Sequence, residues 1–180
     1  MKTKAILVSI IVLATLLVGC AQAPATDKSD KTTEAVTTAS VVDTAAALEK
    51  AMSKDGTWII ATTKDLTIDN ELVLDGTFLN GKKDDAGNDV TQRKIGLYTQ
   101  DENRNVTNRF VLTAPKLTVN SPNASIEHGT FVGDVYVSAQ NFQLKDATIK
   151  GNLYFTTPEA QSTFKMDATS VVTGVQELVQ

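Results

Sequence analysis

The chain has very few of the residues that carry metal and redox chemistry. Its 180 residues include one cysteine, Cys20, and one histidine, His128. A single cysteine excludes an intrachain disulfide and any site built from several cysteines. Zinc sites are built mainly from several cysteine and histidine ligands, and this chain has only one of each. We therefore expect no cofactor.

Clusters of positive charge are also missing. The formal net charge is -4, and without Lys2 and Lys4 of the N-terminal segment 15 basic residues stand against 21 acidic ones. Binding to phosphate backbones needs clustered Lys and Arg, but the basic residues here are scattered, apart from adjacent pairs at 82–83 and 93–94. We therefore expect no nucleic-acid partner.

The first twenty residues carry the features of a bacterial export signal. Lys2 and Lys4 precede an apolar run over residues 5–18, which is short for a membrane-spanning helix of about 20 residues. The run ends in Leu17-Val18-Gly19-Cys20, which resembles the lipobox of bacterial lipoproteins. This resemblance implies cleavage before Cys20 and attachment of a diacylglyceryl group to its sulfur, with residues 1–19 as the signal peptide. A plain signal peptide or a short membrane helix with an incidental cysteine is the alternative.

A lipid on Cys20 makes the membrane the predicted partner. It places the protein on the extracytoplasmic side of the bacterial cell membrane or outer membrane. Residues 20–42 are dominated by Ala, Thr, Ser, Asp and Lys, and they contain no aromatic residue. Because such a segment cannot bury enough surface to offset the entropy of ordering, we expect a disordered tether. The folded domain then occupies residues 43–180.

Residues 43–55 carry the signals of a short helix. Asp43 or Thr44 can serve as the N-cap, and Gly56 is a typical stop. The helix has a narrow apolar stripe that needs something to cover, and a cap over the first strands of a stacked β-structure would use it. The stripe consists of Ala45, Leu48, Ala51 and Met52. A membrane-surface or partner-binding helix is the alternative.

From Trp58 onward the pattern of apolar residues changes from helical to alternating. Short apolar pairs with one residue between them are separated by polar corners, most clearly in residues 139–155. With 42% hydrophobic residues the chain can bury one core, and strands this short suit stacked turns of chain. The pattern predicts a mainly β fold, a single-stranded parallel β-helix of five or six coils with an N-terminal helical cap. An antiparallel β-sandwich is the alternative.

Three series of apolar pairs repeat in the last third of the chain. Leu117-x-Val119 is matched by Phe142-x-Leu144 and Phe164-x-Met166, Ala124-x-Ile126 by Ala147-x-Ile149, and Gly133-x-Val135-x-Val137 by Gly151-x-Leu153-x-Phe155. The two glycine pieces, spaced by 18 residues, resemble the short repeats of bactofilin-type polymer-forming proteins. This resemblance covers about forty residues and implies a right-handed parallel β-helix.

Two polar stretches, residues 80–93 and 99–109, interrupt the pattern. Each predicts a loop or hairpin that leaves the β-structure. The first holds the only candidate metal ligands, Asp84, Asp85 and Asp89. Their spacing fits no twelve-residue calcium loop, so a solvated loop tip is the preferred interpretation and no metal is expected.

The charged residues of the repeats do not predict an active site. We expect the four acidic residues to lie at different corners and the three arginines to lie at or inside the insertions. These residues are Glu127, Asp134, Asp146 and Asp167, and Arg93, Arg104 and Arg109. We expect His128 to be a surface turn residue without an orienting partner. Because polysaccharide hydrolases and lyases need such groups close together, we predict no catalytic residue and no enzymatic activity.

Tyr136 and Tyr154 occupy equivalent places in the glycine repeats, and each is flanked by inward-facing residues. Both are expected to point outward and stack as a ladder, which makes them the candidate ligand face. The predicted function is that of a membrane-anchored cell-envelope lipoprotein with a non-catalytic structural or surface-binding role. Cell-wall or extracellular polysaccharide is the candidate partner. A carbohydrate-binding or adhesive module and a polysaccharide lyase-like enzyme are the alternatives.

Overall fold

Short strands with alternating side chains make up most of the protein. The computed structural model describes residues 39–179, which contain eighteen β-strands and two α-helices. The strands are β1 (Ser40–Val42), β2 (Ile59–Thr62), β3 (Leu66–Thr67), β4 (Leu72–Leu74), β5 (Leu79–Lys83), β6 (Asp89–Thr91), β7 (Arg93–Gly96), β8 (Tyr98–Gln100), β9 (Val106–Arg109), β10 (Val111–Val119), β11 (Ala124–Glu127), β12 (Thr130–Val137), β13 (Gln143–Lys145), β14 (Thr148–Lys150), β15 (Leu153–Phe155), β16 (Lys165–Met166), β17 (Val171–Val172) and β18 (Gln176–Leu178). The helices are α1 (Ala45–Met52) and α2 (Pro158–Thr163).

Two parallel sheets share one apolar core. Sheet A has six strands in the order β1-β2-β7-β11-β13-β16. Sheet B has eight strands: the long strands β10 and β12 pair with each other and with β3, β4, β14 and β15, and β17 and β18 pair with β14 and β15. Every strand pair in these two sheets is parallel, so the fold is mainly β with parallel sheets. The antiparallel β-sandwich is therefore wrong. Parallel neighbours need a crossover, and from β2 onward the chain makes it by visiting sheet B between successive strands of sheet A.

The register confirms two of the predicted repeats. In sheet B the glycine piece at residues 133–137 lies beside the one at residues 151–155, with Val135 paired to Leu153. In sheet A the pair at residues 142–144 lies beside the pair at residues 164–166, because Leu144 is paired to Met166.

Two other predicted equivalences are wrong. Leu117 pairs with Val135 in sheet B and so has no equivalent at residues 142–144 of sheet A. Ile126 pairs with Leu144 in sheet A, whereas Ile149 belongs to sheet B. Strands of both sheets carry the same pattern of apolar residue, spacer, apolar residue. The spacing of such pairs along the chain therefore does not reveal which sheet a pair joins.

Helix α1 forms within the segment predicted to be helical. Its N-cap is Thr44, whose side chain accepts a hydrogen bond from the amide of Ala47 at 3.3 Å. The helix ends at Met52, before the predicted stop at Gly56. Its buried side chains pack against β1, β2 and β4, so the apolar stripe covers strands of both sheets.

A buried arginine holds the carboxyl end of α1. Nη2 of Arg93 donates hydrogen bonds to the carbonyl oxygens of Ala51 at 2.7 Å and Ser53 at 2.9 Å. Its guanidinium carbon lies 3.8 Å from the centroid of the Phe78 ring. Burial lowers the pKa of Arg93 to about 10, and Asp75 opposes this shift, so the side chain is charged at neutral pH. Although Arg93 adjoins an insertion, as predicted, its side chain belongs to the core.

The first described strand corrects the boundary of the tether. Residues 40–42 form β1, which pairs in parallel with β2, and Val42 is buried. The free edge of β2 supplies hydrogen bonds that the composition of this segment does not reveal. The predicted signal peptide, Cys20 and the predicted tether up to residue 38 lie outside the described residues. Within residues 39–179, no helix is long and apolar enough to cross a membrane.

Both polar insertions form antiparallel hairpins, as one of the predicted options. β5 pairs with β6, and β8 pairs with β9.

A second helix, α2, was not predicted from the sequence. In α2 the side chain of Thr157 accepts a hydrogen bond from the amide of Ala160 at 3.1 Å, and Pro158 occupies the first turn. A Thr-Pro-Glu sequence is a recognisable helix start, so this helix could have been found from the sequence.

Candidate functional site

The outward side chains of three strands of sheet A, β7, β11 and β13, are polar and lie in line with one another. Ile95, Ile126 and Leu144 point into the core from these strands. Because side chains alternate along a strand, the residues on either side of each point outward. Ser125 lies between Lys94 and Gln143, and Glu127 lies beside Lys145. These five residues are called the polar face below.

Glu127 is the centre of the polar face and is only 6% exposed. Its Oε2 lies 3.0 Å from Nζ of Lys94. Its Oε1 accepts hydrogen bonds from Nζ of Lys145 at 3.1 Å and from Oγ of Ser125 at 3.0 Å. Both carboxylate oxygens are thus occupied.

The ion pairs of Glu127 control its protonation. Burial by itself raises the pKa of Glu127, but the neighbouring ammonium groups of Lys94 and Lys145 outweigh burial and hold the pKa below its usual value. Burial also lowers the pKa of Lys94, yet the Glu127 carboxylate more than offsets this and the pKa is raised. Glu127 and Lys94 are therefore both ionised at neutral pH. A carboxylate held in this way is poorly suited to exchange protons with a substrate.

Hairpin β5–β6 borders the polar face and leaves a groove beside it. The groove has a volume of about 230 Å³. It is lined by Val90, Thr91, Gln92, Asn123, Ser125, Gln143 and Lys145, and it is called the amide groove below. Lys145 is the only charged residue in this lining, and all the others except Val90 carry a hydroxyl or an amide.

Hairpin β8–β9 borders a second groove, of about 300 Å³, at the N-terminal strands of sheet A. Residues 98–100 line it together with Lys94 and outward residues of β1 and β2, including Val41 and Ile59. Nζ of Lys94 donates a long hydrogen bond of 3.4 Å to the Tyr98 hydroxyl. The two insertions thus each form one wall of a groove on sheet A.

Acidic residues predicted to lie at different corners share one corner at the end of the polar face. Nδ1 of His128 lies 3.0 Å from Oδ2 of Asp146, which also forms an ion pair with Arg109. The amide of Asp146 donates to Oδ2 of Asp167 at 2.8 Å. Glu127 directly precedes His128, so only Asp134 of the four acids lies elsewhere, on sheet B beside Lys116. The prediction failed because it depended on equivalences between repeats that the register contradicts.

His128 is a turn residue, and it has the partner that the sequence did not reveal. It adopts a left-handed conformation with φ of 60°, and so does Asp146 with φ of 50°. The ring of His128 packs edge-on against that of Tyr98, with centroids 4.5 Å apart. Hydrogen bonds from His128 and Arg109 lower the pKa of Asp146. The aspartate accordingly joins the hairpin arginine to the corner of the sheet.

The tyrosine ladder has the predicted arrangement on sheet B. Tyr136 and Tyr154 are register partners, and their ring centroids lie 4.8 Å apart at an angle of 41°. Nζ of Lys116 lies 5.0 Å from the centroid of Tyr136. Part of the pair's ring surface is therefore already used within the protein. The neighbouring Phe155 is buried, because its position in β15 points inward.

The three candidate metal ligands do not converge. Oδ1 of Asp84 accepts hydrogen bonds from the amides of Ala86 and Asn88 and so closes the hairpin tip. Asp89 forms an ion pair with Lys83 at 2.7 Å. Asp101 closes the second hairpin tip in the same way. Among residues 39–179, no group of three or more His, Cys, Asp or Glu residues is placed to hold a metal ion.

No family model, curated protein or solved structure matches this chain. The function of this protein must therefore be inferred from its own residues. Sequence reasoning found the tyrosine ladder but missed the polar face and the amide groove. The five residues of the polar face alternate with core residues in β7, β11 and β13, and this alternation is their local signal. That signal becomes informative only when the register of the strands is known.

Proposed function

We propose that this protein is a lipid-anchored cell-envelope protein whose folded part is a single-stranded parallel β-helix with a non-catalytic, surface-binding role. The observation that carries the binding role is the pair of hairpins beside the polar face. Each hairpin interrupts the β-structure and forms one wall of a groove there. Outward side chains from distant parts of the chain meet in these grooves, as a binding surface requires.

The β-helix is supported by the path of the chain between the two sheets. From β2 to β18 the chain enters sheet A, continues into sheet B, and returns to sheet A beside its previous strand. Five such passes begin at β2, β7, β11, β13 and β16, and each is in parallel register with the one before. β1 followed by α1 takes the place of a preceding pass, with the helix over β4 where a strand of sheet B would lie.

The non-catalytic role is supported by the state of the charged groups. The carboxylate of Glu127 is paired with two lysines, and that of Asp146 is paired with Arg109 and His128. Both carboxyl pKa values are lowered, so neither group is poised to give a proton at neutral pH. General acid catalysis by either carboxyl group would need that group to be released from its partners.

Anchoring is tested by phase separation in detergent. We expect the full chain, expressed in a bacterial host that attaches lipids, to enter the detergent phase and the Cys20→Ala variant to remain in the aqueous phase. Unchanged partitioning would contradict the anchor. Incubation with polysaccharides tests the proposed absence of catalysis, since release of unsaturated uronates would show that the protein is an enzyme.

Binding is tested with cell-wall polysaccharide that has been freed of lipid. We expect the detergent-solubilised full chain to sediment with this material, and we expect less sedimentation when Gln143→Ala and Gln92→Ala are combined. Recovery of all the protein in the supernatant would overturn the surface-binding role.

A carbohydrate-binding module that uses the tyrosine ladder is the second candidate. Its support is that Tyr136 and Tyr154 stack side by side on an outward face, where aromatic rings can receive a sugar. Glycan-array binding that disappears in the Tyr136→Ala, Tyr154→Ala double variant would favour this candidate. Loss in the Gln92→Ala, Gln143→Ala variant alone would favour the grooves.

A further inference from the structure

The amide groove contains polar groups that have no partner elsewhere in the described protein. The side-chain amide of Gln143 forms no hydrogen bond with another residue of the range 39–179. Gln92 uses only its Oε1, which accepts a hydrogen bond from Nδ2 of Asn80 at 2.9 Å, so its amide N–H groups remain free. The side chain of Lys145 is 41% exposed, and its ammonium group donates one hydrogen bond, to Oε1 of Glu127. Amide donors and acceptors and an ammonium group therefore line the same small space.

The remaining wall of the groove is held in place by internal hydrogen bonds. Nδ2 of Asn123 donates to Oγ1 of Thr91, which ties the hairpin to the corner before β11. Oδ1 of Asn123 accepts from Nδ2 of Asn141 at 3.0 Å. Oγ of Ser125 donates to Glu127. A wall fixed in this way presents its free groups in one geometry, which reduces the entropy lost on binding.

The charge of the polar face indicates the charge of the ligand. Two ammonium groups, those of Lys94 and Lys145, share the single carboxylate of Glu127, so one positive charge is left over. Lys94 is the more buried of the two lysines, with 18% of its side chain exposed, which makes Lys145 the one that a ligand can reach. This single surplus charge matches a carboxylate, which carries one negative charge, better than a phosphate monoester, which carries a charge of about -1.5 to -2 at pH 7.

We infer that the amide groove binds a carboxylate-bearing sugar unit of an acidic polysaccharide, with the carboxylate on Nζ of Lys145 and the hydroxyls on the amides of Gln92 and Gln143. The volume of about 230 Å³ is below the roughly 300 to 1,000 Å³ of sites for drug-sized molecules, which suits one small polar unit at a time. This inference rests on the proposed surface-binding function and names its ligand class.

The test compares a galacturonic-acid oligosaccharide with the same oligosaccharide after its carboxyl groups have been reduced to alcohols. Binding of the detergent-solubilised full chain is measured by calorimetry. We expect Lys145→Met to weaken binding of the acidic form by about tenfold or more, as for a lost hydrogen bond to a charged group. Lys150→Met removes the same charge from sheet B and should leave binding unchanged.

Gln143→Ala provides a variant that removes no hydrogen bond of the described protein and should fold normally. We expect it to weaken binding of the acidic oligosaccharide by about threefold to tenfold. If Lys145→Met proves unfolded by circular dichroism, this variant decides the question. Unchanged binding in Gln143→Ala, or equal losses in Lys145→Met and Lys150→Met, would overturn the inference.

The nature of the ligand is decided by the pair of oligosaccharides. Equal binding of the acidic and reduced forms would overturn the requirement for a carboxylate, and so would stronger binding of a phosphorylated oligosaccharide. If neither form binds while the protein still sediments with cell-wall polysaccharide, the ligand class is wrong and the surface-binding function stands. If sedimentation fails too, the proposed function itself is wrong.

Discussion

Replacing Glu127 with glutamine tests whether a buried ion pair holds the polar face together. Glutamine keeps the shape of the side chain but removes the charge that faces Lys94 at 3.0 Å and Lys145 at 3.1 Å. Lys145 is well exposed and can be solvated instead, whereas Lys94 would be left without a counter-charge in a poorly hydrated place. Breaking a fully buried pair costs about 3–5 kcal/mol and an exposed one about 0–1 kcal/mol. We therefore expect the free energy of unfolding to fall by about 2–3 kcal/mol.

The assay is urea denaturation of both proteins across a range of pH. The pKa of Glu127 in the folded protein lies below its ordinary value of 4.5, so the carboxylate contributes stability above that pH and loses it as the pH falls through the folded-state pKa. The difference between wild type and Glu127→Gln should thus be complete at neutral pH and shrink below about pH 4.5.

Two further variants make the result specific. Glu71→Gln breaks an ion pair of similar length, 3.1 Å to Lys116, but the glutamate side chain is 60% exposed, so the loss should stay below about 0.5 kcal/mol. Adding Lys94→Met to Glu127→Gln removes the unpaired ammonium group and should recover at least half of the lost stability. The reasoning is refuted if Glu127→Gln costs no more than Glu71→Gln, or if the difference from wild type persists in acid.

Two other substitutions test the fold. Gly133→Ala places a methyl group 1.9 Å from the carbonyl oxygen of Ala114 at a φ of 136°, so the free energy of unfolding in urea should fall by about 3 kcal/mol or more. The control Gly87→Ala, with a φ of 84° and no atom within 4 Å, should cost about 1 kcal/mol. Similar losses in the two variants would contradict the close approach at Gly133. Arg93→Met removes the two hydrogen bonds that hold the end of α1. Hydrogen exchange of the α1 amides should therefore become at least tenfold faster, while exchange in the strands of sheet B stays unchanged. Unaltered exchange in α1 would contradict this role of Arg93.

The local features of the fold could be predicted because local residues cause them. The alternation of apolar residues predicted strands at most of the observed places, and the polar insertions predicted structures that leave the sheets. The signals for α1 also lie within its own segment, where Thr44 provides the cap. The strand β1 was missed because its order comes from pairing with β2, about twenty residues away.

The candidate site could be predicted only in part, for a different reason. Tyr136 and Tyr154 were found because the same glycine motif precedes both, which reveals their register directly. Lys94, Glu127 and Lys145 carry no such motif, and unequal insertions separate their strands. The expected scatter of the acidic residues was wrong for this reason.

For most residues of the strands, the sequence by itself determined which side chains are inward and which are outward, because alternation along a strand depends only on near neighbours. It also determined the outward pair of tyrosines, and it predicts an export signal that ends at Cys20. Only the tertiary structure decided which outward residues meet, since parallel register is set by packing between segments that are far apart in the chain. The register brings Glu127 beside Lys94 and Lys145. Tertiary packing also places the side chain of Arg93 in the core beneath α1 and the free amides of Gln92 and Gln143 in one groove.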